Sequence, residues 1–180
     1  MRAFLDACVL YPTVMREVLL GAASAGLFTP LWSDRVLEEW ALAARKIGPE
    51  GETIARGDIA LLTANWPKAT VSGFEGLEKR LWLPDPLDTH VLAAAISESA
   101  DVIVTMNAKD FPKHILREEG LDRVDPDGML RGFVDLNRAA MEKAVAKVHS
   151  QAEALSGEVW DLRKLLKKAR LPRLGKALGM

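Results

Sequence analysis

Seven polar residues of the 180-residue chain could assemble a cation site: Asp6, Glu39, Asp85, Asp88, Thr105, Asn107 and Asp110. Carboxylates brought together repel one another unless a cation neutralises them. An oxygen-only donor set selects a hard ion such as Mg²⁺ or Mn²⁺ over zinc. Several of these acids also have a purely structural use. Asp85 precedes Pro86, the signature of a helix N-cap with proline at the first helical position. Asp88 then falls in the first turn, where the macrodipole favours a carboxylate without requiring one. In "DFP", Asp110 can cap a helix that starts around Pro112, and an Asp after a strand is commonly a turn residue. The single cysteine, Cys8, excludes an intrachain disulfide and a cysteine-based zinc knuckle. His90 lies about 200° around the helix from Asp88, which suits packing or a partner contact rather than metal ligation. His114 and His149 stand isolated in the sequence.

Those residues must be positioned by strands and helices. "RAFLDACVL" is a short apolar run without helical period and fits a buried parallel strand ending near Asp6. A helix over 13–25 stops at Gly26, "LFTPLWS" resumes a strand, and Ser33 or Asp34 caps a helix running to about Lys46. A second helix ends at Trp66, "KATVSG" is a short strand, and "FEGLEKRLWL" is helical or irregular. "DPLDTHVLAAAISES" opens an Ala-rich helix, the β-branched run in "ADVIVTM" is a strand, and "DRVDPDG" closes a last one. Such alternation implies a mostly parallel sheet covered on both faces. Ligands of such sheets sit beyond the carboxyl ends of the strands, where strand order reverses. If the first strand neighbours "DVIVT", Asp6 meets Thr105, Asn107 and Asp110 there. In "DRVLEEWALAARK", spacing at about 100° per residue buries Val36, Leu37, Trp40, Ala43 and Ala44. Glu38 then points to solvent, and Glu39 lies on the flank, leaning toward the interior.

At 49% hydrophobic residues, the chain can bury one substantial core with a small appendage. It has no uninterrupted apolar run of about 18 residues, and "MRAFLDACVLYP" reads as a first strand rather than a signal peptide. The expectation is a soluble, cytoplasmic protein. Charge is unevenly spread: residues 1–130 hold 13 basic and 20 acidic residues, and residues 131–180 hold 11 and 5. From Arg163 onward there are seven basic residues and no acidic one. From Met129 the pattern is helical only, which places a boundary near Gly128 between a 1–128 domain and a basic helical extension, 129–180. The tail could meet phosphates or an acidic partner, or be a solvated helix face.

Asp6 in "FLDACVLY", Glu39 in "RVLEEW", "PDPLDTHVLAAA" and "ADVIVTMNAKDFP" stand in the order and spacing of PIN domains. Over about residues 1–126 the chain most resembles the bacterial VapC-type toxin branch, and the tail is similar to a C-terminal extension of one VapC subgroup. The resemblance implies a three-layer α/β/α fold with a central parallel sheet in the order 3-2-1-4-5, and a metal-dependent ribonuclease. It implies an acidic quartet of Asp6, Glu39, Asp88 and Asp110, with Asp85, Thr105 and Asn107 alongside as supports or phosphate contacts. On that basis Asp6 and Asp88 are the principal ligands of Mg²⁺ or Mn²⁺, and Asp110 binds an ion directly or through water. Glu39 binds metal or orients the water for an in-line attack on a phosphodiester. The family also implies an RNA substrate, a cognate antitoxin and a homodimer. Basic residues at the rim, Lys109, Lys113 or the tail, would meet the RNA backbone. Two rivals stand beside this reading. A haloacid-dehalogenase-type phosphatase would need a second Asp where this chain has Cys8. A catalytically inactive PIN-like module would bind RNA or protein without cutting it.

Overall fold

The computed structural model describes residues Met1–Gly179. β1 (Arg2–Leu5) is buried at three of its four positions and leads through the one-turn α1 (Ala7–Leu10) to α2 (Thr13–Ser24). After α2 the chain reverses at Gly26, whose φ of 77° is a conformation that glycine adopts without strain. β2 (Thr29–Ser33) follows, and Ser33 Oγ accepts from Val36 N at 3.3 Å to cap α3 (Asp34–Ala43). α4 (Gly51–Asn65), the two-residue β3 (Thr70–Val71) and the short α5 (Glu75–Glu78) come next. A single 3₁₀ turn, Pro86–Asp88, runs into α6 (Thr89–Ser97). β4 (Val102–Val104), α7 (Lys113–Glu118) and β5 (Asp122–Val124) complete the alternating part. Beyond it the described residues form only helices: α8 (Pro126–Ser156), α9 (Leu162–Lys168) and α10 (Pro172–Ala177).

The strands form one parallel sheet in the order β3-β2-β1-β4-β5. β1 is central, with Phe4 in register with Leu31 on one side and Ile103 on the other. The chain lays β2 and β3 to one side of β1 and then returns to place β4 and β5 on the other. Strand order therefore reverses between β1 and β4, where an open parallel sheet has its ligand crevice. The α/β class and this strand order are those the resemblance implies.

Packing divides the chain into two units that are not contiguous in sequence, Met1–Tyr11 with Thr29–Arg123, and Pro12–Phe28 with Val124 onward. The core of the first includes Phe4, Leu5, Trp32, Leu92 and Ile103, all fully buried. Ala93, Ala94 and Ala95 let α6 lie close to the sheet. In the second, α2 packs on α8 so tightly at Gly21 that a Cβ there would come within 2.8 Å of Ala144 Cβ. Phe28 stacks on Phe133 with ring centroids 5.8 Å apart. The buried Asp127 accepts from Arg173 N and Leu174 N, each at 2.9 Å, which ties the start of α10 to that of α8.

Several local expectations shift. α8 begins at Pro126 rather than near Met129, because Asp125 and Pro126 repeat the cap-and-proline signature, with Asp125 Oδ1 accepting from Gly128 N at 2.8 Å. The helix breaks at Asn137 (φ −156°, ψ 83°), whose Oδ1 accepts from Ala140 N at 3.0 Å and so starts a second segment. On α3 the buried face takes Ala41 where Ala43 was expected, and Ala43 is half-buried. Among the described residues, no helix is long and apolar enough to cross a membrane.

Candidate metal centre

Asp6 is the residue after β1, and its N–H donates to Val104 O at 3.1 Å, so the ladder between the two central strands delivers it to the crevice. Its carboxylate is buried and held from one side. Asp6 Oδ2 accepts from Thr105 Oγ1 at 2.7 Å and from Cys8 Sγ at 3.0 Å, while Oδ1 takes no hydrogen bond from the described residues. Thr105, the residue after β4, is itself fixed by Asn107 N, which donates to its Oγ1 at 2.9 Å. Asn107 Nδ2 then donates to Asp88 Oδ2 at 3.3 Å. One hydrogen-bonded chain thus links the ends of β1 and β4 to the turn that starts α6.

Asp85, Asp88 and Asp110, each half-buried, place carboxylate oxygens within 4.8 Å of one another. Asp85 keeps the cap role as well, accepting from Leu87 N at 2.9 Å. Asp110 caps nothing: α7 is preceded by Pro112, and no side chain caps it. Burial, then the charges of Asp6, Asp85, Asp110 and Glu39, push the Asp88 carboxyl from 3.8 up to about 6. Asp6 and Glu39 are therefore near enough to act on Asp88, although the tightest trio is Asp85, Asp88 and Asp110. Among the described residues, no Lys or Arg side chain forms an ion pair with any of the four aspartates.

The two glutamates of α3 part company. Glu38 is exposed and bound by two hydrogen bonds of 2.8 Å from Arg56, which pull its carboxyl below the ordinary range. Glu39 Oε1 instead lies 2.8 Å from Nε2 of the fully buried His90. At the rim, Lys113 pairs with Asp122 at 3.1 Å, while Lys109 is exposed and forms no ion pair among the described residues. An open groove of about 360 Å³ runs alongside, lined by Ala7, Cys8, Tyr11, Glu39, Trp40, Ala43 and Lys46.

All seven candidate residues thus lie in the first packing unit, joined by hydrogen bonds or by their effect on Asp88. Two participants were given no place in the site from the sequence. Cys8 donates to Asp6 and accepts from Met106 N at 3.2 Å, and burial followed by the Asp6 charge pushes its thiol up to about 12. Its position two residues past Asp6, at the turn out of β1, was the available signal. His90 carried none, because its neighbour Glu39 is 51 residues away in the chain.

The donors are oxygens only, crowded, partly desolvated and without a basic partner, which fits a hard divalent cation. A family profile described as PIN domain matches residues 2–109. A protein of Mycobacterium tuberculosis named "Putative ribonuclease VapC50" is 41% identical over 58 residues, which is 32% of this chain and 34% of that relative. The chain therefore spans about a third of the length of the relative it matches. No solved structure matches it. With the profile covering more than half of the chain, over the segment that carries β1 to β4 and most of the acids, the chain belongs to the PIN-domain family.

Proposed function

We propose that this chain is a Mg²⁺- or Mn²⁺-dependent endoribonuclease, the cytoplasmic toxin of a type II, VapBC-like toxin–antitoxin system. The observation that carries the reading is the convergence of Asp85, Asp88 and Asp110 on one point, with Asp6 and Glu39 close enough to raise the Asp88 carboxyl. Asp6, Asp88 and Asp110 would hold the ion, and Asp85, which joins the trio, either adds a ligand or supports them. A bound ion supplies charge to polarise the scissile phosphodiester and to acidify the attacking water. The chain's own residues do the rest. Thr105 and Cys8 fix the orientation of Asp6, and Asn107 holds Asp88, so the carboxylates are set before substrate arrives. Glu39, with its exposed carboxylate at the edge of the groove, orients the water and accepts its proton. Lys109 meets a backbone phosphate of the RNA. A cognate antitoxin that covers the acidic pocket, and a homodimer, belong to this reading through the family resemblance.

Purified protein is incubated with total RNA, with and without Mg²⁺ or Mn²⁺, beside a folded Asp88→Asn variant. Metal-dependent cleavage that falls at least about 100-fold in the variant is expected, because a ligand and its charge are lost together. Equal cleavage by parent and variant would overturn the assignment. RNA binding without cleavage under any metal would favour the inactive PIN-like module instead.

A further inference from the structure

His90 is fully buried, and neither ring nitrogen has an aligned hydrogen-bond partner. Removing a polar ring from water without satisfying it is unfavourable, and an apolar side chain would fill the space without that penalty. Packing alone therefore does not account for a histidine here. The polar atom beside it is Glu39 Oε1, 2.8 Å from Nε2. The distance is that of a hydrogen bond, and only the alignment is missing. Glu39 makes no other hydrogen bond or ion pair among the described residues, and its side chain is 40% exposed. The ring is fully buried whereas the Glu39 side chain is 40% exposed, so a rotation about that side chain would complete the bond.

Neighbouring Glu38 shows the alternative. A guanidinium takes both of its oxygens and neutralises it. An imidazole N–H can hold a carboxylate by one oxygen without adding a formal charge, which leaves the second oxygen and the negative charge available. We propose that His90 is a positioning residue whose Nε2–H donates to Glu39 Oε1 and keeps that carboxylate turned toward Asp88. Its consequence for cleavage rests on the nuclease reading above, but the contact itself does not. The bond ties α6, which follows Asp88, to α3, which carries Glu39, so that the two acids keep a common geometry.

The tautomer and the coupling are separately measurable. Long-range ¹H–¹⁵N spectra of the imidazoles are recorded for the parent and for Glu39→Gln, the chain having only three histidines to assign. His90 is expected to carry its proton on Nε2, with a resonance that moves in Glu39→Gln. A His90 protonated on Nδ1 alone, or one indifferent to the substitution, would overturn the proposal. Mg²⁺ affinity by calorimetry and cleavage kinetics are then measured for His90→Leu and His90→Gln, each with and without Glu39→Gln. His90→Leu should lower kcat about 10–100-fold with KM for RNA unchanged, the usual cost of losing an outer partner of a metal site. Glutamine, whose amide N–H can reach the same oxygen, should recover part of the loss. In the Glu39→Gln background the same change should cost less than about 2-fold, because interacting residues are non-additive. Equal losses in both backgrounds would mean a structural role and overturn the proposal. If His90→Leu does not fold, the spectra of the parent and Glu39→Gln still decide. If Asp88→Asn leaves cleavage intact, the nuclease reading fails while the spectral result stands on its own.

Discussion

At Asp88, burial and four neighbouring carboxylates all act in one direction, and the acid is held at about 6. The folded pKa lies above the unfolded one, so the folded chain retains a proton that the unfolded chain has lost. In metal-free protein this group's contribution to stability therefore decreases as pH rises from about 4 to about 6. A divalent cation binds the ionised form and reverses the penalty. Thermal unfolding should show a Mg²⁺-induced rise in Tm at about pH 7.5 that is much smaller at about pH 5. A shift of equal size at both values would speak against these acids as the binding site. Asp85 combines two roles that substitutions can separate. Asp85→Ser keeps a cap for Leu87 N but removes the charge from the trio. Asp85→Ala removes both and should cost about 1 kcal/mol more stability than the serine variant. Denaturant titrations check the cap, and Mg²⁺ affinity, expected to fall in both variants, checks the charge.

The elements matter through their ends. The ladder between β1 and β4 sets Asp6 beside Thr105, and the 3₁₀ turn before α6 sets Asp88 beside Asn107. In the second packing unit, α10 is anchored by the buried carboxylate of Asp127, which receives two backbone N–H groups. Asp127→Ala leaves those donors without their acceptor and should cost about 1–3 kcal/mol. The measurement is urea unfolding followed by circular dichroism, and a change below about 0.5 kcal/mol, the usual size for surface sites, would mean that water replaces the anchor readily.

Across the whole molecule, the uneven charge of the sequence resolves into two kinds of basic residue. Arg173 pairs with Asp125 at 3.2 Å, and Lys168 lies 4.9 Å from the centroid of the Trp160 ring, so both serve the tail's own packing. Arg163, Lys164, Lys167, Arg170 and Lys176 are exposed and form no ion pair among the described residues. Removing the tail after Asp161 would strip Asp127 of its partners, so point changes are the cleaner test. Lys109→Gln, and separately Lys164→Gln with Lys167→Gln, should weaken RNA binding and reduce the slope of log affinity against log salt by about 0.7 per lysine that meets a phosphate. Fluorescence-anisotropy titrations at several salt concentrations read that slope, and an unchanged slope removes the lysine concerned from the RNA interface.

The sequence by itself determined the strand–helix alternation, a cap at Ser33 or Asp34 and another at Asp85, and it offered the acids as candidates. Each is written in local signals: apolar period, a polar residue before a helix, Asp before Pro. Even the division between Glu38 and Glu39 was legible, because helical geometry turns one away from the buried face. Local signals left two readings open at Asp110, two residues before Pro112, and no side chain caps α7. Only the tertiary structure decided which acids meet. The meeting of Asp110 with Asp85 and Asp88, and the His90 ring beside Glu39, come from the order in which strands pair and from how α3 and α6 pack. Asp110 is 22 residues from Asp88 and His90 is 51 from Glu39, and no period or spacing along the sequence encodes such distances.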